Sequence, residues 1–173
     1  MGGNITATSQ KGVGSTFAFE LRFALATEAP AEDVPEQMPT SLDLTGKRIL
    51  LAEDLEINRV ILRELLSPTH VQIDNADNGK VALDTFVASR PGTYDLILMD
   101  IQMPVMDGYE TTCAIRALSH PDAQTIPIIA MTANAYQEDI DISFAAGMNG
   151  HLTKPIDLAM VMQTLAKFLI QPQ

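Results

Sequence analysis

Five times between Arg48 and the C-terminus, an apolar run of strand length is followed by a stretch whose apolar residues recur at helical spacing. The runs are Arg48-Ile-Leu-Leu-Ala52, Val71 to Ala76, Tyr94-Asp-Leu-Ile-Leu-Met99, Pro127-Ile-Ile-Ala-Met131 and the short Gly150-His-Leu152. Helical period follows each of them, at Ile57 to Leu66, about Lys80 to Ser89, about Tyr109 to Ser119, about Gln137 to Ala146, and from Asp157 onward. Ile57, Ile61, Leu62 and Leu65 are expected to share the buried face of the first helix, which Pro68 stops. Leu158, Val161, Met162, Leu165, Phe168 and Leu169 do so in the last. Strands that alternate with helices join one sheet through right-handed crossovers, which makes the strands parallel and places helices on both faces. The expected fold class is α/β, a doubly wound five-stranded parallel sheet.

Ahead of this body, Leu25 to Thr45 carries Glu28, Glu32, Asp33, Glu36 and Asp43 with Pro30, Pro35 and Pro39, and no Lys or Arg. Such a stretch buries too little apolar surface to order itself and reads as a linker. The expected organisation is a head over residues 1–24, an acidic linker over 25–45 and the body over 46–173. Lys and Arg number 11 against 22 Asp and Glu, a net charge of −11, which opposes direct contact with nucleic acid or anionic lipid. Cys113 is the single cysteine, and His70, His120 and His151 are too scattered to make a zinc site with it. No apolar run approaches a membrane span and the first residues lack a signal-peptide pattern, so the expected compartment is the cytoplasm.

In an open sheet of this kind, functional groups gather beyond the carboxyl ends of the strands, where the strand order reverses. Glu53-Asp54 follow the first strand, Asp100 the third, Thr132 ends the fourth and Lys154-Pro155 follow the fifth. Taken singly, each has a structural reading: the acidic pair as helix caps, Asp100 as a turn residue, Thr132 as a strand residue and Lys154 as a surface lysine. Their joint placement on one rim favours a phosphoryl-transfer site. Two carboxylates about 5 Å apart repel by about 3 kcal/mol at an effective dielectric of about 20, so Glu53, Asp54 and Asp100 together call for a cation. Mg²⁺ suits a few oxygen ligands and leaves room for a phosphoryl oxygen. Asp100 is then the candidate nucleophile, with Lys154 and Thr132 meeting charge on the transferring group.

The acidic pair after Ile49-Leu-Leu-Ala52, then Leu96-Ile-Leu-Met-Asp100-Ile-Gln-Met-Pro104-Val-Met-Asp-Gly108, Ala130-Met-Thr132-Ala-Asn134 and Leu152-Thr-Lys154-Pro155-Ile closely resemble the receiver domain of two-component response regulators. The resemblance covers about Lys47 to Ile170. It implies a flavodoxin-like sheet of order 2-1-3-4-5 and phosphoryl transfer from phosphohistidine to Asp100. It further implies Mg²⁺ held by Asp54, Asp100, the backbone carbonyl of Gln102 and, through water, Glu53. Thr132 and Lys154 would hold the phosphoryl group, and the Lys154–Pro155 bond would be cis. Thr132 and the position three residues before the lysine form the family's switch. That position is usually aromatic and is His151 here.

In the head, Met1-Gly-Gly3-Asn-Ile5, Ser9 and Gly12-Val-Gly14-Ser-Thr-Phe17-Ala-Phe19 resemble the last strand pair of the ATP-binding domain of sensor histidine kinases. A β-hairpin is expected on either reading, and the Gly-Lys-Ser/Thr ending of a phosphate loop is absent. Head, linker and body together resemble the C-terminal part of a hybrid histidine kinase. The implied partners are a phosphohistidine-bearing kinase domain and a histidine phosphotransfer protein, and a homodimer through the parent kinase stays open. Other readings are a scaffold receiver that is never phosphorylated, a flavin binder of the same topology, and a phosphatase with an aspartate nucleophile. Carboxylates on the rim oppose an anionic flavin phosphate. The phosphatase needs a second Asp two residues after the nucleophile, where Gln102 stands.

Overall fold

The computed structural model describes residues 3–21, 42–133 and 136–170, and the chain divides into two units. Residues 1–2 and 22–24 of the expected head, and 25–41 of the expected linker, lie outside the described residues. Among the described residues no helix is long and apolar enough to cross a membrane.

The first unit is the expected hairpin. Strands β1 (Gly3–Gln10) and β2 (Gly14–Leu21) pair antiparallel, and the chain reverses through Gly12, whose φ of +81° favours glycine. Ile5 lies opposite Phe19 and Ala7 opposite Phe17, so strand alternation gathers these side chains on one exposed face.

In the second unit five parallel strands, β3 (Arg48–Ala52), β4 (Gln72–Ala76), β5 (Leu96–Asp100), β6 (Ile128–Thr132) and β7 (Gly150–Thr153), stand in the order β4-β3-β5-β6-β7. The linking helices are α1 (Glu56–Leu66), α2 (Gly79–Ala88), α3 (Gly108–Arg116) and α4 (Gln137–Ala145), and α5 (Leu158–Leu169) follows β7. Two apolar layers result, because the alternate residues of buried parallel strands point to opposite faces. Leu50, Ala52, Ile97, Met99, Ile128 and Ala130 pack with Ala82 and Phe86 of α2 and Ile115 of α3. Ile49, Leu51, Leu98, Ile129, Met131 and Leu152 pack with Leu62 and Leu66 of α1 and Val161 and Leu165 of α5. Leu42 and Leu44, from the acidic stretch, are buried in this second layer, and Leu44 N–H donates to Thr69 O.

The buried stripe of α1 is rotated from the expected one. Ile57 is 63% and Ile61 48% exposed, whereas Leu62 and Leu66 are buried and Asn58, Arg59 and Leu65 half-buried. The rotation follows from Asn58 and Arg59, whose side chains turn toward the loop that carries Glu53 and Asp54. Leu158, expected inside, is exposed at the first position of α5.

Three features brace the side of the sheet under α2 and α3. Asp107 caps α3 in a reciprocal box with Glu110. The α3 N-terminus lies so near β5 that a Cβ on Gly108 would meet Asp100 O at 2.3 Å, and one on Gly79 would meet Met106 O at 2.4 Å. At the far end of α3, Arg116 donates Nε–H to Gly147 O (2.9 Å) and Nη1–H to Ala123 O (2.6 Å). Its Nη2 donates to Ile126 O (2.9 Å) and to Asn149 Oδ1 (2.8 Å). One guanidinium thereby ties α3 to the segments that enter β6 and β7.

Candidate functional site

Crossovers leave β3 toward β4 on one side and the sheet continues to β5 on the other, so a crevice opens at the carboxyl ends of β3 and β5. Glu53 lies one residue beyond β3 and is held there by its N–H on Ala76 O (3.0 Å). Its side chain is fully buried, Asp54 is half-buried, and Asp100, the last residue of β5, is 5% exposed. Thr132 ends β6, and Lys154 N–H donates to Thr132 O (2.7 Å). The Lys154–Pro155 bond is cis.

The Lys154 ammonium joins the rim. Nζ donates to Glu53 Oε2 and to Asp100 Oδ2, each at 2.7 Å. Asp100 Oδ1 accepts the Gln102 N–H at 3.2 Å, so both of its oxygens already hold donors. Glu53 Oε1 accepts from Asn58 Nδ2 (2.8 Å) and from Leu55 N–H (3.3 Å). One oxygen from each of Glu53, Asp54 and Asp100 falls within a group no wider than 4.8 Å. His151, in β7, is half-buried in register with Ala130 and so shares the sheet face under α2 and α3.

Electrostatics here is dominated by burial. It raises the Asp100 carboxyl above its ordinary range, the nearby Glu53 charge adds to this, and hydrogen bonds from Lys154 and Gln102 oppose it. Burial also works against the Lys154 charge, but its bonds to Asp100 and Glu53 prevail and hold the ammonium above its ordinary range. Three carboxylates against one ammonium leave the cluster short of positive charge. Arg59 supplies some from behind, donating Nη1–H to Glu53 O (2.6 Å) and Asp54 O (2.9 Å). The donor set is all oxygen and acidic, which fits a hard divalent cation such as Mg²⁺.

Every residue expected on the rim stands on it. Asn58 and Arg59, which hold the acidic pair in place, are absent from the expectation. Their signal is a polar pair one turn into a helix whose neighbours Ile57, Val60, Ile61 and Leu62 are apolar.

Residues 49–166 match the family described as response regulator receiver domain. The aerobic respiration control sensor protein ArcB of Escherichia coli (strain K12) is 35% identical over 171 residues, 97% of this chain and 21% of its own. The sensor histidine kinase AruS of Pseudomonas aeruginosa is 32% identical over 167 residues, 96% of this chain and 16% of its own. The chain thus spans about a fifth or less of these two relatives' length. Among solved structures, the receiver domain of sensor histidine kinase PA1611 from P. aeruginosa PAO1, with a magnesium ion coordinated in its active-site cleft, superposes with a TM-score of 0.64. It is 36% identical, and the match covers 72% of this chain and 98% of that one. The receiver domain of Ssk1, in a co-crystal with the histidine phosphotransfer protein Ypd1 from Saccharomyces cerevisiae, belongs to a structure matching at 29% identity and a TM-score of 0.62, over 70% of this chain and 88% of that one.

Proposed function

The chain belongs to the response regulator receiver domain family, and from that premise we propose that its body accepts a phosphoryl group from phosphohistidine on Asp100. The observation that carries this reading is the Lys154 ammonium bridging Glu53 and Asp100 beside Asp54. In the transfer the Asp100 carboxylate attacks phosphorus, the P–O bond forms as the P–N bond breaks, and the electron pair returns to the imidazole. Lys154 turns from Asp100 to an oxygen of the arriving group, and the Thr132 hydroxyl takes another. Asp54 and Asp100, the Gln102 carbonyl and, through water, Glu53 would hold Mg²⁺, which would offset the carboxylate charge and act as a Lewis acid toward the phosphoryl group. Thr132 and His151 carry the change to the surface near α4. The test is intact mass after incubation with Mg²⁺ and a small phosphodonor, with the adduct located by peptide sequencing. An adduct on Ser, Thr or His, or none, sinks the reading.

Leu55, Ile57, Val60 and Ile61 are exposed together at the start of α1, next to the acidic loop. A contiguous apolar patch beside a reaction site suits a docking partner, here the phosphohistidine-bearing kinase domain or phosphotransfer protein. Ile57→Asp is expected to lower the rate of transfer from such a partner, relative to the rate from a small donor, by tenfold or more. A ratio unchanged from the parent places the docking surface elsewhere.

The alignments with ArcB and AruS extend through nearly the whole chain, hairpin included. This supports residues 1–24 as the end of a histidine kinase ATP-binding domain and the body as the receiver of a hybrid kinase, with the linker ending before Leu42 and Leu44, which belong to the body's core rather than to the expected linker over 25–45.

A further inference from the structure

Glu53 is a fully buried carboxylate with two side-chain donors, and the two stand in different situations. Lys154 is shared: the same Nζ serves Glu53 Oε2 and Asp100 Oδ2 at 2.7 Å each. A phosphoryl group on Asp100 draws that ammonium toward itself and away from Glu53. The Asn58 carboxamide is not shared among the described residues, where its side chain makes one hydrogen bond, from Nδ2 to Glu53 Oε1 at 2.8 Å. Among the described residues the one further donor to the Glu53 carboxylate is the Leu55 amide at a longer 3.3 Å. A buried carboxylate that loses its donors swings away to find others. Such a swing removes an oxygen from the cluster it forms with Asp54 and Asp100.

We propose that Asn58 is a positioning residue of the phosphoryl site: its carboxamide keeps the Glu53 side chain turned toward Asp100 once Lys154 moves to the phosphoryl group, and so sets the affinity of the acidic cluster for Mg²⁺. This rests on the phosphoacceptor reading and adds a residue to it. The placement of Asn58 suits the task. It lies in the first turn of α1, where the helix N-terminus also favours the Glu53 charge, and its neighbour Arg59 fixes the backbone carbonyls of Glu53 and Asp54. Consecutive residues thus hold the side chain and the main chain of the acidic loop.

The experiment measures Mg²⁺ affinity by NMR titration or calorimetry on the full chain, for the parent, Asn58→Leu, Glu53→Gln and the double variant. Leu keeps the bulk of Asn and removes the donor. Groups that orient metal-holding carboxylates typically contribute 10- to 100-fold in affinity, and Asn58→Leu is expected to weaken Mg²⁺ binding by about tenfold. It also slows small-donor phosphorylation at low Mg²⁺, with recovery at saturating Mg²⁺. In the Glu53→Gln background the same substitution is expected to change affinity by less than about twofold, because Asn58 acts through Glu53. Parent-like affinity in Asn58→Leu overturns the proposal, as does a loss that persists undiminished beside Glu53→Gln. Asn58→Ala serves the same purpose if the Leu variant does not fold. A parent chain that phosphorylates with Mg²⁺ while Asn58→Leu matches it refutes Asn58 alone, whereas a parent that neither binds Mg²⁺ nor takes up a phosphoryl group refutes the phosphoacceptor reading as well.

Discussion

Asp100→Asn is expected to abolish phosphoryl uptake while raising the melting temperature of the metal-free protein. Uptake ends because the carboxamide cannot attack phosphorus, and no other carboxylate of the cluster ends a strand against Lys154. Stability rises because burial is the largest influence on the Asp100 carboxyl, with the Glu53 charge adding to it, and Asn removes both. Lys154 keeps its bond to Glu53, so no ammonium is stranded. A gain on the order of 1 kcal/mol, about 3 to 6 °C, is expected. Its pH dependence has a definite sign. A carboxyl raised in the folded state binds a proton more tightly there than in the unfolded chain, so its penalty is fully present above the raised value and fades as pH falls toward the ordinary 3.8. The advantage of the Asn variant is therefore full above the raised value and narrows on acidification. Saturating Mg²⁺, bound by the folded parent, reduces it further through RT ln(1 + [L]/Kd). A variant that melts below the parent without metal would show that the Lys154 ion pair outweighs burial.

Arg116→Ala is expected to produce the largest loss of stability among the substitutions considered. Its guanidinium donates to Gly147 O, Ala123 O, Ile126 O and Asn149 Oδ1, the last of which also accepts the Ile128 N–H. Burial lowers its affinity for the proton, yet an arginine stays charged throughout the range in which the protein folds. Its bonds are therefore charge-assisted and made to neutral carbonyls, with no carboxylate in the set. Removing the group leaves several half-buried acceptors without a donor, at a cost of about 3 kcal/mol, or a fall of about 10 °C. Arg116→Lys is expected to recover less than half of this, because a single ammonium cannot reach the fan that the planar group spans. Denaturant unfolding monitored by circular dichroism checks both variants. A loss below about 1 kcal/mol for Arg116→Ala would mean that water replaces the guanidinium.

The strand runs were legible because buried parallel strands are apolar on both faces, and the two core layers follow from alternation within runs such as Ile49-Leu-Leu-Ala52. The rim was legible because Glu53, Asp54, Asp100, Thr132 and Lys154 each stand at the end of such a run. Less visible was anything that depends on side chains reaching sideways. Helical periodicity alone turns Ile57 and Ile61 inward, but the hydrogen bonds of Asn58 and Arg59 to the acidic loop decide the rotation of α1. Arg116 reads as an ordinary charged residue at a helix end until the loops before β6 and β7 are folded around it. Leu42 and Leu44 sit in a stretch whose acidic composition masks two apolar residues with a place in the core.

The contact between Gly108 and the backbone of Asp100 bears on how other sequences should be judged. A chain could keep every charged group of the rim and still fail to build it if position 108 carried any side chain, since a Cβ at 2.3 Å from the Asp100 carbonyl forces strand and helix apart. Position 79 is as strict, its Cβ falling 2.4 Å from Met106 O. Whether a divergent relative retains the chemistry is thus a question to put first to two residues that have none. Loss of either hydrogen-only side chain would mark decay of the site before any acidic residue was replaced.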